Sequence, residues 1–181
     1  LGHHDKKEKF RSYLARVSPV TSSGKIHRQD ETMKSPYRFD QPEKSGQYRM
    51  IMFEQKQCKT CDELHLDILQ REESKQQIKK FDVAVLDMWS DEKITRPDGK
   101  SAKIKDWAKQ LDIQYAPSLV FLNPQGKEVF RIEAYLRSFH VQSVMDYVSS
   151  GAYKTQPNFQ RYIDSRADKL RAMGIEVDLM N

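Results

Sequence analysis

The chain alternates short apolar runs with longer stretches in which apolar residues recur every three or four positions. The densest run, "YRMIMFE" at 48–54, is a strand candidate between polar segments. After it, "CDELHLDILQREESKQQIKKF" (61–81) reads as helix, with Leu64, Ile68 and Leu69 on one face. "DVAVLDMW" (82–89) is a second buried-strand candidate, and "RPDGK" (96–100) is a turn. "SAKIKDWAKQLDI" (101–113) is an amphipathic helix. Ile104, Trp107, Ala108 and Leu111 line its inner side, and Ser101 can cap it. In "YAPSLVFLNPQGKEVFRIEAY" (115–135), apolar runs at 118–122 and 127–133 flank a tight turn at Asn123–Gly126, which predicts an antiparallel hairpin. Two helices follow. One covers 138–153, with Val141, Val144, Met145 and Val148 inward and Gly151 as its stop; the other covers 157–173, with Pro157 in its first turn and Gly174 after its end.

The start of the chain carries a weaker pattern. Residues 1–35 are polar and mixed; a short helix at Glu8–Val17, with Phe10, Leu14 and Val17 on one face, competes with an arm lacking regular structure. "TSSGK" (21–25) reads as loop, Pro36 and Pro42 bracket "YRFDQ", and Gly46 ends whatever short helix follows Pro42.

The element order is a β-α-β half followed by a β-β-α half. The first half needs a crossover, so its two strands are expected to be parallel, while the hairpin adds an antiparallel edge. With 181 residues, 38% of them hydrophobic, the chain supports one core rather than two. The net charge of +5 is spread along the sequence and interleaved with acids, so it reads as a solvated surface; no nucleic-acid partner is expected. No apolar run approaches the roughly 18 residues of a membrane helix, so no stable membrane insertion is expected. A monomer is expected. The chain begins at Leu1 rather than Met, and with "LGHH" in front it reads as a processed or truncated form.

The chemistry concentrates in "FEQKQCKTCDELH" (53–65), which holds both cysteines, Cys58 and Cys61. Three positions along a helix bring two side chains about 5–6 Å apart on one face, a spacing that suits a disulfide. A cysteine where helix N–H groups are unpaired has its thiolate stabilised. Lys56 and Lys59 add positive charge nearby, and Glu54 and Asp62 oppose it. Two other readings stay open. A purely structural disulfide would close a loop of only four residues, a poor entropic staple. A copper- or zinc-handling site would use Cys58, Cys61 and a histidine, with His65 one turn after Cys61 as the third ligand; zinc normally takes four, and there is no second C-x-x-C. His65 otherwise reads as a helix-surface residue, and His27 and His140 carry no spacing signal. Trp89 and Trp107 read as packing.

The cysteine pair between first strand and first helix, together with "APSLVF" (116–121) and "NPQGKEVFRIEAYL" (123–136), resembles the thioredoxin family over about residues 45–150. The resemblance implies a thioredoxin-like α/β three-layer sandwich with a mixed central sheet and helical extensions at both ends. The divisions are an N-terminal arm or short helix (1–35), a thioredoxin-like domain (36–153) and a C-terminal helical extension (154–181). It also implies a cis bond before Pro117, with Pro117 against the cysteine pair and the Ala116 backbone offered to an extended substrate strand. Cys58 is then the exposed nucleophile and Cys61 the more buried resolving thiol.

Within that family, "MFEQKQCKTC", "DGK", "YVSSGAY" and "PNFQRYID" look most like the secreted thioredoxin-like proteins of the SoxW type. That likeness implies a periplasmic thiol–disulfide oxidoreductase without a cofactor, acting as a reductase on protein disulfides and kept reduced by a membrane electron carrier. Four positions depart from the family pattern. Gln57 stands where a tryptophan is usual, and Lys59-Thr60 replaces Gly-Pro. The customary buried aspartate falls on Met52; Glu54, on the same strand face, is the candidate substitute as proton acceptor.

Overall fold

The computed structural model describes residues 22–44, 46–133 and 137–178. The helix expected at Glu8–Val17 lies outside them. Strands β1 (Tyr48–Glu54), β2 (Phe81–Asp87), β5 (Ser118–Leu122) and β6 (Glu128–Glu133) form one sheet in the order β2-β1-β5-β6. β1 and β2 are parallel, whereas β5 runs antiparallel to both β1 and β6. The mixed sheet follows from the crossover and the hairpin read from the sequence.

Alternation along the strands divides the core into two layers. Met50, Met52, Val83, Val85, Leu119 and Phe121 face one side, packed by Leu64, Ile68 and Leu69 and by Val141, Val144, Met145 and Val148. Ile51, Phe53, Ala84, Leu86, Val120 and Leu122 face the other, packed by Ile104, Trp107 and Ala108 and by Met33, Tyr37 and Phe39. Covering on both faces explains why β1 reads as a continuous apolar run rather than an alternating one.

Several boundaries differ from the sequence reading. The expected helix at 61–81 is broken into α1 (Lys59–Leu66), a 3-10 turn (Ile68–Gln70) and α2 (Glu72–Ile78). Arg71 is extended there (φ −67°, ψ 142°), and its guanidinium reaches both the Asp67 carboxylate and the Ser138 hydroxyl across the layer. Ile68 and Leu69, read from the sequence as sharing a face with Leu64, both enter the core from the 3-10 turn. Ser101 is not a helix cap. Ser101–Lys103 is a short strand, β4, pairing antiparallel with β3 (Lys93–Thr95), and α3 spans Ile104–Gln110. Pairing across the 96–100 turn satisfies the backbone of this stretch and buries Ile94.

The second strand ends at Asp87, after which Met88 turns inward and Trp89 outward. No helix follows Pro42 in the described residues, and Gly46 takes a left-handed φ of 80° in a turn. The helix expected at 138–153 stops at Ser149: α4 is Ser138–Ser149, and after Gly151 a single turn, α5, spans Ala152–Thr155. The last helix, α6, is Phe159–Ala172. Asn158 caps it by accepting from the Arg161 N–H at 3.1 Å, so Pro157 precedes the cap instead of lying in the first turn. α6 lies against α4 through Ile163, Ala167 and Phe139, and the Tyr162 hydroxyl donates to Asp146.

The described part of the N-terminal arm runs along the sheet as irregular chain. The Met33 N–H donates to Val83 O at 2.7 Å on β2, an outer strand of the sheet. The Glu43 and Lys44 N–H groups both donate to the Asp82 carboxylate. The Met33 bond occupies a backbone position on the outer edge of β2, and the Asp82 bonds fasten the 43–44 turn beside it.

Candidate functional site

β1 ends at Glu54, three residues cross to Cys58, and Cys58 is the N-cap of α1. Its backbone is extended (φ −148°, ψ 93°), and its Sγ accepts from the Cys61 N–H at 3.1 Å. Cys58 and Cys61 are joined in a disulfide with their Cα atoms 5.2 Å apart. Cys58 retains 7% exposure and Cys61 1%, so the N-cap cysteine is the less buried of the two. The unpaired N–H groups of the first helical turn stabilise negative charge on that sulfur once the bridge opens.

The Ala116–Pro117 peptide is cis. Pro117 immediately precedes β5, whose first residue, Ser118, is in register with Phe53. Pro117 therefore lies at the end of the sheet where Glu54 leads into the cysteine loop. Ala116 is half-buried beside exposed Tyr115. Trp89 is 66% exposed, and its indole N–H donates to Gln55 Oε1 at 2.9 Å, which sets an aromatic plate beside the loop that carries Cys58.

Glu54 is fully buried, on the same face of β1 as Met50 and Met52. Its Oε1 meets His65 Nε2 at 2.6 Å. His65 is 3% exposed, which corrects the expectation of a helix-surface residue. It follows Cys61 by four positions, so both occupy the inward face of α1 next to Leu64. Glu54 Oε2 and His65 Nδ1 are buried without a hydrogen-bond partner among the described residues.

The segment 22–27 adds residues that sequence reasoning missed. The Ser22 hydroxyl donates to Gln57 Oε1 at 2.8 Å, directly before Cys58. Asp62, directly after Cys61, accepts from the Ser23 N–H at 2.7 Å and the Ser23 hydroxyl at 2.5 Å, and its Oδ1 meets His27 Nε2 at 2.6 Å. Together the His27 ring, the Ser23 hydroxyl and the Ser23 N–H hold the Asp62 carboxyl at about 2, below the usual carboxylate range. The His27 ring stacks on His65, with centroids 4.9 Å apart and planes 20° from parallel. No spacing rule links position 27 to position 62. The available hint was local: a Ser-Ser-Gly turn followed by a histidine, in a segment otherwise read only as loop.

Among the described residues, no group of three or more His, Cys, Asp and Glu side chains is placed to hold a metal ion. His65, the third ligand of the metal reading, is turned to Glu54 instead. Among the same residues, no helix is long and apolar enough to cross a membrane.

A family model described as a thioredoxin-like domain matches residues 38–149. A search of curated proteins found no match. Among solved structures, the chain is similar to a thioredoxin-fold protein from Helicobacter pylori at 16% identity and a TM-score of 0.60, covering 79% of this chain and 92% of that one. It also aligns with a disulphide isomerase from Xylella fastidiosa Temecula1 at 14% identity and a TM-score of 0.36, over 89% of this chain and 93% of that one. A DsbH oxidoreductase aligns at 14% identity and a TM-score of 0.40, over 67% and 88%. The first of these supports the fold; the other two superpose too loosely to add to it. On the family match, with its sheet order and its disulfide at the start of α1, the chain belongs to the thioredoxin-like domain family.

Proposed function

We propose that this protein is a thiol–disulfide oxidoreductase that acts on protein disulfides through Cys58 and Cys61. The observation that carries the reading is the disulfide at the N-cap of α1, with the less buried cysteine on the cap residue and the more buried one a turn inside.

In the reducing direction, the Cys58 thiolate attacks one sulfur of a substrate disulfide. A Cys58–substrate bond forms and the first substrate sulfur leaves as thiolate. Cys61 then gives up its proton and attacks Cys58 Sγ. The Cys58–Cys61 bond forms, and the second substrate sulfur leaves and is protonated. Glu54, fully buried at the end of β1 and four residues before Cys58, serves as the proton acceptor for Cys61. Substrate lies as an extended strand across the backbone of Ala116, next to Pro117, at the sheet end that carries the cysteine loop.

The likeness of "MFEQKQCKTC" and the flanking segments to secreted SoxW-type proteins supports the finer reading: a periplasmic reductase, recharged by a membrane electron carrier. The test is the reduction potential of the Cys58–Cys61 couple. A value near about −270 mV fits a reductant of the thioredoxin class and one near about −120 mV an oxidant. Finding no reversible couple would overturn the oxidoreductase reading altogether.

A further inference from the structure

The Glu54–His65 pair has a feature that packing does not require. Glu54 Oε2 and His65 Nδ1, a buried carboxylate oxygen and a buried ring nitrogen, have no hydrogen-bond partner among the described residues, and an unpartnered buried polar atom is costly. An apolar residue such as Leu64 would fill the position of His65 without leaving Nδ1 unpaired. What the imidazole contributes is its other nitrogen, Nε2, on Glu54 Oε1 at 2.6 Å.

We propose that His65 is the positioning residue for the thiol-proton acceptor: it fixes one oxygen of Glu54 and leaves the other free for Cys61. The proposal rests on the oxidoreductase reading above. Cys61 and His65 lie on the same face of α1, one turn apart, and both are buried. A carboxylate held by His65 is therefore held at the buried face of α1 that also carries Cys61.

In the disulfide form, Cys61 has no hydrogen to donate. Reduction by a substrate dithiol or a carrier thiol adds two electrons and two protons, and one of those protons arrives on Cys61 in a site closed to water. The oxygen left unpaired in the oxidised form is then the acceptor that this new S–H needs. In the resolving step the Cys61 proton passes to Glu54 Oε2. The sulfur attacks Cys58 Sγ, the Cys58–substrate bond breaks, and the departing thiolate is protonated from Glu54 or solvent.

Three ionisable groups of the described residues are placed around the Glu54–His65 pair. Glu54 faces His65 from β1, and His27 covers its ring from the 22–27 segment, held in turn by Asp62 on α1. Asp87 is the register neighbour of Glu54 on β2 and turns its Oδ1 to the Trp89 N–H. Among the described residues, Glu54 alone hydrogen-bonds the His65 ring, so an effect of His65 on the thiol passes through Glu54.

Dithionitrobenzoate separates the two chemical steps. The first nitrothiobenzoate released reports attack by Cys58; the second reports resolution by Cys61. The rates of both phases across the neutral-to-alkaline range are compared for wild type, H65L and H65Q, each with Glu54 and with E54Q. The expected result is a first phase unchanged by H65L and a second phase slowed about tenfold or more, with a displaced pH profile. H65Q, which keeps an N–H donor of similar reach, restores most of the rate, and H65L adds nothing further in the E54Q background.

Equal second-phase rates at every pH in wild type and H65L would overturn the proposal, as would an H65L effect that persists undiminished with E54Q. If H65L does not fold, H65N replaces it. Its shorter amide cannot reach Oε1, so a slow second phase in H65N rescued in H65Q supports the proposal, and equal rates overturn it. A wild-type protein that shows no second phase fails the oxidoreductase reading itself, a result distinct from all of these.

Discussion

His27 and Asp62 lie 35 residues apart in the chain, and His27 Nε2 meets Asp62 Oδ1 at 2.6 Å. With two further bonds from Ser23, the contact clips an irregular segment to the first turn of the helix that carries the disulfide. Asp62→Asn removes the charge from this cluster and should lower stability by about 1–2 kcal/mol at neutral pH. The Asp62 carboxyl is held at about 2, below its ordinary 3.8. Its contribution is therefore fully present above the ordinary value and is lost as pH falls through the depressed one. Urea unfolding of wild type and D62N should show a gap at neutral pH that narrows as acid brings pH down toward 2. A gap that stays constant with pH would mean the carboxylate charge is not what stabilises the clip.

The two cysteines should fail in different ways. Cys58→Ser should abolish insulin reduction and leave no covalent intermediate. Cys61→Ser should keep the first attack and accumulate a substrate–Cys58 disulfide, because nothing remains to resolve it. Mass spectrometry of the trapped species decides between them. Intermediates trapped equally by both variants would remove the assignment of Cys58 as nucleophile.

Trp89 should matter for substrate and not for folding. It is largely exposed and is anchored to Gln55 on the loop before Cys58. Trp89→Ala should change unfolding free energy by less than about 0.5 kcal/mol. Its KM for a disulfide-linked peptide should rise about threefold to tenfold with kcat retained, as expected for an aromatic contact at a binding surface. A pure kcat loss would place Trp89 in the chemistry instead.

The β5–β6 turn should tolerate no side chain at Gly126. Its φ is 81°, and a Cβ there would stand 2.7 Å from Pro97 Cβ. Gly126→Ala combines a left-handed backbone penalty with a clash against the loop between β3 and β4, and should cost about 2 kcal/mol or more by urea unfolding.

Most of the frame could be read from the chain because it rests on local pattern. The apolar runs at 48–54 and 118–122, the 123–126 turn and the spacing of Cys58 and Cys61 each carry their own signal. What was missed depends on long-range pairing or on three-dimensional burial. The β3–β4 pair was hidden because Ser101–Lys103 also reads as a helix start, and only its partner across the turn decides otherwise. His65 was misplaced at the surface because helical spacing alone does not reveal that the Glu54 carboxylate ends β1 against the same face. His27, Ser23 and Asp62 were invisible as a group because the segment that joins them has no periodicity, and its position is set by side-chain bonds rather than by backbone regularity.

The 22–37 stretch bears on how portable this domain is. The family match begins at residue 38, yet the ring that covers His65, the donors that hold Asp62 and the amide that occupies the outer strand all come from before it. A transplant cut at the family boundary would carry the disulfide and the sheet intact. It would also wet the imidazole, release the carboxylate beside Cys61 and bare the edge of β2. For this chain the unit of inheritance recognised by the family is shorter than the unit that builds the site, and a chimera meant to keep its redox properties needs the leading segment as well.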